Sequence, residues 1–290
     1  MIFLQSSKAQ RLLLEMLLTN KIIIMKTIIA PVDFSAISTN AVLFAAELAK
    51  RSSARLFIVN ILQKDGDEDI AKNNMETLES DLRKSVGSEL ICESFLAHGD
   101  FIATLKKIIA VQQPDLIVMG TKGANGLKKI LIGSNTVNVI AGTTVPVFVI
   151  PEVARFADFL KKGKNRIVLA TDLDLLENER TLDILKEIAL LIIDPKVRVL
   201  SVRPENTRLP DEKRLEREFL LSLFEPEIKS QRMTIFSSNV INGINYYLDK
   251  KNDTGLVAMI ARDSGHLIQK HYTREMASHT HLPLLVLHDA

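Results

Sequence analysis

DLIVMGTKGANGLKKILIGSNTVNVIAGTTVPVFVI, residues 115–150, is the stretch from which the remaining sequence is read. Leu116-Ile117-Val118-Met119 has the length and β-branched content of a buried strand. Gly120, Gly123 and Gly126 follow, then a basic apolar segment, then Gly133-Ser134 and a helix-compatible run over Asn135–Ile140. Val147–Ile150, after Pro146, reads as a second buried strand. A strand, a glycine loop and a helix start form an anion cradle. Glycines let backbone N–H groups approach a phosphate without Cβ interference. Ser134 can cap the helix and offer its hydroxyl to a phosphate at the positive helix end.

Upstream, the same alternation holds. TIIAPV, residues 27–32, is a buried strand ending at Asp33, and Ser35 or Ser38 can cap the next helix. Ala41, Phe44, Ala45, Leu48 and Ala49 fall on one face of that helix. Leu56–Ile61 is the next strand, and about Ile70 to Val86 a charged helix. Leu90–Ala97 is a third strand, and Phe101–Gln112 an amphipathic helix stopped before Pro114. Such βαβα order implies an α/β fold with a doubly wound parallel sheet, whose ligands bind at the carboxyl ends of strands. Asp33, Ile61 and the Gly120 loop all fall at such ends.

The spacing Gly120-x2-Gly123-x9-Gly133-Ser134 resembles the nucleotide-loop signature of the universal stress protein family, G-x2-G-x9-G-(S/T). The resemblance takes in Lys26–Ser35, Leu56–Ile61 and Leu96-x2-Gly99-Asp100, and covers residues 25–151 in order. It implies a Rossmann-like domain of the adenine nucleotide alpha hydrolase-like type, binding ATP or a related adenine nucleotide, with Mg2+ able to ride on the phosphates. Carried over by residue, Pro31 and Asp33 face the adenine or ribose, and Ile61 touches the base through its backbone. Met119, Gly120, Lys122, Gly123 and Gly126 make the phosphate loop; Gly133, Ser134, Asn135 and Thr136 make the closing helix start. Lys122, Lys128 and Lys129 can add cationic charge, although the last two also suit a solvated surface. The resemblance further implies stress sensing or signalling in the cytoplasm. It implies a last strand that pairs antiparallel with its counterpart in another domain.

After Ile150 a proline, a glycine and a basic cluster mark residues 152–165 as linker with room for a short helix. The plan then repeats. Arg166–Asp172 echoes Ile28–Asp33, with Asp172 where Asp33 fell. Thr181–Leu191 is a helix, Val197–Val202 a strand, 211–224 a helix, Met233–Phe236 a strand and Asn239–Lys250 a helix. Leu256–Ile260 matches Leu116–Gly120, and His281–Leu287 matches Thr144–Ile150. The expected organisation is an extension over 1–24, a nucleotide-binding domain over 25–151, a linker over 152–165 and a degenerate second domain over 166–290. Ile260 replaces Gly120, Asp263 replaces Gly123, and Lys270-His271 lies opposite Gly133-Ser134. Bulk and acidity there oppose phosphate, so the second copy is expected to hold no nucleotide. With two copies in one chain, Pro146–Ile150 and Pro283–Leu287 can pair as an internal pseudo-dimer, and two chains can join as a homodimer. The alternative is that each is an edge protected by its own flanks.

The 290 residues suffice for two cores. A formal charge of +2, from 37 basic and 35 acidic residues, gives no basic field for nucleic acid. Cys92 is the single cysteine, so no disulfide forms within the chain; it reads as a mid-strand core residue. No apolar run reaches the about 18–20 residues that cross a bilayer. Residues 1–24 are apolar but interrupted by Lys8, Arg11, Glu15 and Lys21, unlike a secretory signal. They read as an accessory extension ahead of Met25-Lys26, or as the product of an early start codon, with an amphipathic surface helix as the lesser alternative. No nucleophile–base–acid set, P-loop ending or H-E-x-x-H is present, and no carboxylate pair marks a metal site. Catalysis is thus at most weak ATP hydrolysis. His266, His271, His279 and His281 lack a compact ligand spacing and read as solvated side chains. An empty-site interaction scaffold is the competing reading from another class.

Overall fold

The computed structural model describes residues 25–63, 67–121, 134–161, 163–205, 207–262, 276 and 282–289. The expectations for residues 1–24, for Lys122, Gly123, Gly126, Lys128, Lys129 and Gly133, and for Asp263, Lys270-His271 and the four C-terminal histidines lie outside them.

The first half runs β1 (Thr27–Pro31), α1 (Ala36–Ser52), β2 (Arg55–Leu62), α2 (Glu68–Val86), β3 (Cys92–His98), α3 (Phe101–Gln112), β4 (Leu116–Thr121), α4 (Ser134–Gly142) and β5 (Val147–Pro151). After a short α5 (Phe156–Phe159) come β6 (Arg166–Ala170), a 3-10 turn (Glu179–Leu182), α6 (Asp183–Leu190), β7 (Lys196–Arg203), α7 (Asp211–Ser222), β8 (Lys229–Phe236), α8 (Val240–Lys250), β9 (Thr254–Arg262) and β10 (Leu284–Asp289).

Among the described residues, ten strands form one sheet in the order β3-β2-β1-β4-β5-β10-β9-β6-β7-β8. Every neighbouring pair is parallel except β5 and β10, which run antiparallel with Val286 opposite Val147 and Leu284 opposite Val149. Read outward from that central pair, each half has the same strand order. The apolar cores follow suit. One buried cluster lies on the face of α1, α2 and α6, the other on the face of α3, α4 and α8, and each runs unbroken through both halves. Helices thus cover both faces, the doubly wound arrangement read from the sequence.

Local rules account for the elements. Ser35 caps α1 by accepting from the Ser38 N–H at 3.2 Å, and Asp67 and Asp100 cap α2 and α3 in the same way. The predicted inner face of α1 is buried, with Val42 and Ala46 added.

Three segments differ from the sequence reading. β8 begins at Lys229 rather than Met233, because its first residues are polar and face solvent at the sheet edge. Cys92 opens β3 rather than standing mid-strand, and is buried there. Within 152–165, Phe156 and Phe159 are buried and pack edge-to-face on Phe44, with centroids 4.9 and 5.7 Å away. Phe148 joins the cluster at 5.5 Å from Phe44. A proline, a glycine and basic residues hide an aromatic anchor that the spacing of two phenylalanines alone does not announce.

Candidate functional site

A cavity of about 480 Å³ opens at the carboxyl ends of β1, β2 and β4. It lies where the strand order reverses between β1 and β4, the position at which open α/β sheets take their ligands. Pro31, Asp33, Ile61, Met119, Gly120, Asn135 and Thr136 line it together. Ser134 is the first residue of α4, exposed and outside the lining. Ser35, Ile37, Ser38, Gln63, Phe101 and Thr121 also face the cavity, and the sequence reading did not place them there. The signal for Phe101 was available, since it directly follows the helix cap Asp100; that for Ile37 was not.

Asp33 is fixed by the turn it starts. Its carboxylate accepts from the Ser35 N–H at 3.0 Å and the Ser38 hydroxyl at 2.6 Å. Phe34 holds φ at 60°, a left-handed value costly for a bulky residue, so the turn is maintained by its surroundings. Desolvation pushes the Asp33 carboxyl up, but the hydrogen bonds from Ser35 and Ser38 outweigh it and hold the group below its ordinary value. Asp33 is therefore an ionised acceptor on the cavity wall. It is the single charged side chain among the described lining residues.

Gly120 is required by close approach. A Cβ on it would stand 2.6 Å from the Ile37 carbonyl oxygen and 2.8 Å from Ile37 Cγ2. The start of α1 is thereby seated against the end of β4. Thr136, buried on α4, donates to the Gly120 carbonyl at 3.2 Å and ties the start of α4 to the end of β4. The Thr121 hydroxyl is buried at the cavity edge with no partner among the described residues. No group of three or more potential metal ligands occurs among those residues.

The second half can be superposed on this site by register. Ile28 stands opposite Leu116 as Ile167 stands opposite Leu256. Gly120 stands opposite Ile150 as Ile260 stands opposite Leu287. Ile260 is thus the counterpart of Gly120, and Asp172 that of Asp33. Leu173 repeats the left-handed turn of Phe34, with φ at 61°. What surrounds the turn is different. Arg262 ends β9 with its side chain 4% exposed and pairs with Asp172 at 2.6 Å and Asp289 at 3.0 Å. It also donates to the Asp174 carbonyl at 2.6 Å. Burial alone would lower the Arg262 pKa, but Asp172 and Asp289 outweigh it and raise it. Neither Arg262 nor Asp289 was picked out from the sequence, because a lone arginine and a near-terminal aspartate match no motif.

The family model of the universal stress protein family matches residues 25–151. A universal stress protein of Methanocaldococcus jannaschii is 27% identical over 138 residues, covering 43% of this chain and 81% of the relative. A second from the same organism is 36% identical over 80 residues, 28% of this chain and 48% of its own length. Among solved structures, a universal stress protein from Archaeoglobus fulgidus superposes with a TM-score of 0.70 at 18% identity, covering 91% of this chain and 98% of that one. A functionally unknown protein from Pseudomonas aeruginosa gives 0.65 at 16%, covering 93% and 95%. These last two likenesses speak for the fold over nearly the whole chain. Over residues 25–151 the chain is similar to the universal stress protein family.

Proposed function

We propose that the first-half cavity binds ATP or a related adenine nucleotide, and that occupancy serves stress response or signalling in the cytoplasm. The observation that carries this reading is convergence. Pro31, Asp33, Ile61, Met119, Gly120, Asn135 and Thr136, drawn from three strand ends and one helix start, line a single cavity at the switch point of the sheet. Ile61, Met119 and Phe101 supply apolar surface for a base, and the ionised Asp33 an acceptor for ribose hydroxyls. The glycine loop, with Lys122, Gly123, Gly126, Gly133 and Ser134, is assigned the phosphates, and Mg2+ would be held by them rather than by protein carboxylates. The volume falls in the range typical of small-molecule sites, about 300–1,000 Å³.

In this reading 25–151 is the nucleotide-binding domain and 166–290 a degenerate copy that shapes the assembly. Pairing of β5 with β10 makes the pseudo-dimer, and two chains can associate further. Titrating ATP into the protein and into Asp33→Asn tests the site. Loss of a charged acceptor is expected to weaken binding about tenfold or more. Equal affinity in the variant would remove Asp33 from the site.

A further inference from the structure

We propose that Asp172, Asp174 and Asp289 at the strand ends of the second half form a guanidinium socket of reversed polarity, filled from within by Arg262, and not merely an eroded nucleotide site. The geometry is that of a bound ligand. The fork of Arg262 reaches three acceptors on two segments: Asp172 and the Asp174 carbonyl after β6, and Asp289 at the end of β10. Asp289 is itself fully committed. It accepts from the Glu177 and Asn178 N–H groups at 3.1 Å and the Thr181 hydroxyl at 3.0 Å. Glu216 of α7 accepts from the Leu176 N–H at 3.2 Å, closing the same loop from its other side.

The reversal goes with one change at an equivalent position, Ile260 for Gly120. Gly120 lets α1 begin at Ala36, close behind Asp33. Ile260 stands at that position in the second half, where the chain runs through 173–178 before its 3-10 turn at Glu179. The acidic residue inherited from the turn then faces a cationic side chain rather than a ligand's hydroxyls. Acid on both sides of the fork makes the socket hostile to phosphate and specific for a planar cation, since a guanidinium delivers several donors in one plane. Its work is to clamp 172–181 and β10, the strand by which the halves join.

The inference rests on the first-half reading only for the comparison of polarity, and its principal test reads the second half alone. In full-length Arg262→Ala, the melting temperature is expected to fall by about 6 °C or more. Guanidinium chloride at millimolar concentration should restore part of that loss, while sodium chloride at equal ionic strength should not, and the native protein should gain nothing. Guanidinium acting no better than sodium on the folded variant would overturn the proposal. Nucleotide stoichiometry gives a second reading: a site gained in Arg262→Ala would mean an anion cleft that was only plugged, and would also overturn it. If Arg262→Ala does not fold, Arg262→Lys decides. The proposal expects it to melt below the native protein because an ammonium cannot span three acceptors, and equal melting would contradict it.

Discussion

Gly120 and Ile37 approach so closely that a side chain on the first would collide with the backbone of the second: an added Cβ stands 2.6 Å from the Ile37 carbonyl oxygen. The glycine is therefore a packing requirement of the fold as well as part of a cavity wall. Gly120→Ala should destabilise the fold by about 1–3 kcal/mol, the usual range for overpacking. Urea unfolding checks this; an unchanged midpoint would mean that the start of α1 shifts freely.

The aromatic anchor in 152–165 gives a sharper contrast. A connector residue tolerates replacement within about 0.5 kcal/mol, whereas truncating a core phenylalanine costs about 3–5 kcal/mol. Phe159 is 3% exposed and packs on both Phe44 and Phe148. Phe159→Ala is expected in the core range by denaturant unfolding, and a near-neutral result would return the segment to the role of a loose linker.

Acid stability should track the carboxylates held below their ordinary values. Asp253 is held down by its two hydrogen bonds from Arg198, at 2.7 Å each, against the opposing effect of burial. Asp289 is also held down, its burial outweighed by the Glu177 and Asn178 N–H groups and Arg262. A depressed acid contributes stability above its unfolded value and loses it as pH falls through the folded one. Burial pushes Glu187 and Glu216 the other way, so falling pH relieves their cost. The Asp253→Asn variant isolates one such group. Its deficit against the native protein should be largest near neutral pH and shrink below about pH 4. A deficit constant with pH would show that the lost contact is not charge-dependent.

Cys92 is buried at the start of β3, and burial pushes its thiol up to about 12. Thiolate is the reactive form, so the native thiol should resist alkylation at neutral pH and react on unfolding. Rapid modification of the folded protein by iodoacetamide would contradict that placement.

How far these features could be read in advance depended on whether a local rule governed them. The helix cap at Ser35, one of the two serines offered for it, and the buried strands β1, β4 and β5 follow from residue type and periodicity, and the structure has them. The convergence of Asp33, Ile61 and Gly120 followed from chain topology, since parallel strands bring their carboxyl ends together. The edge strand β8 was half hidden because a solvent-facing strand carries little apolar signal. The Arg262 clasp was invisible for another reason. It joins residues 27 and 90 positions apart that no local motif links, although the internal repeat already set Ile260 opposite Gly120.

The most direct measurement is the small-molecule content of the purified protein. The protein would be prepared without added nucleotide and denatured, and what it releases identified by chromatography and mass spectrometry, followed by titration with ATP and magnesium. One adenine nucleotide per chain, lost in Asp33→Asn, is the expected result. No binding at millimolar ATP, or binding indifferent to Asp33, would contradict the assignment and leave an interaction scaffold in its place.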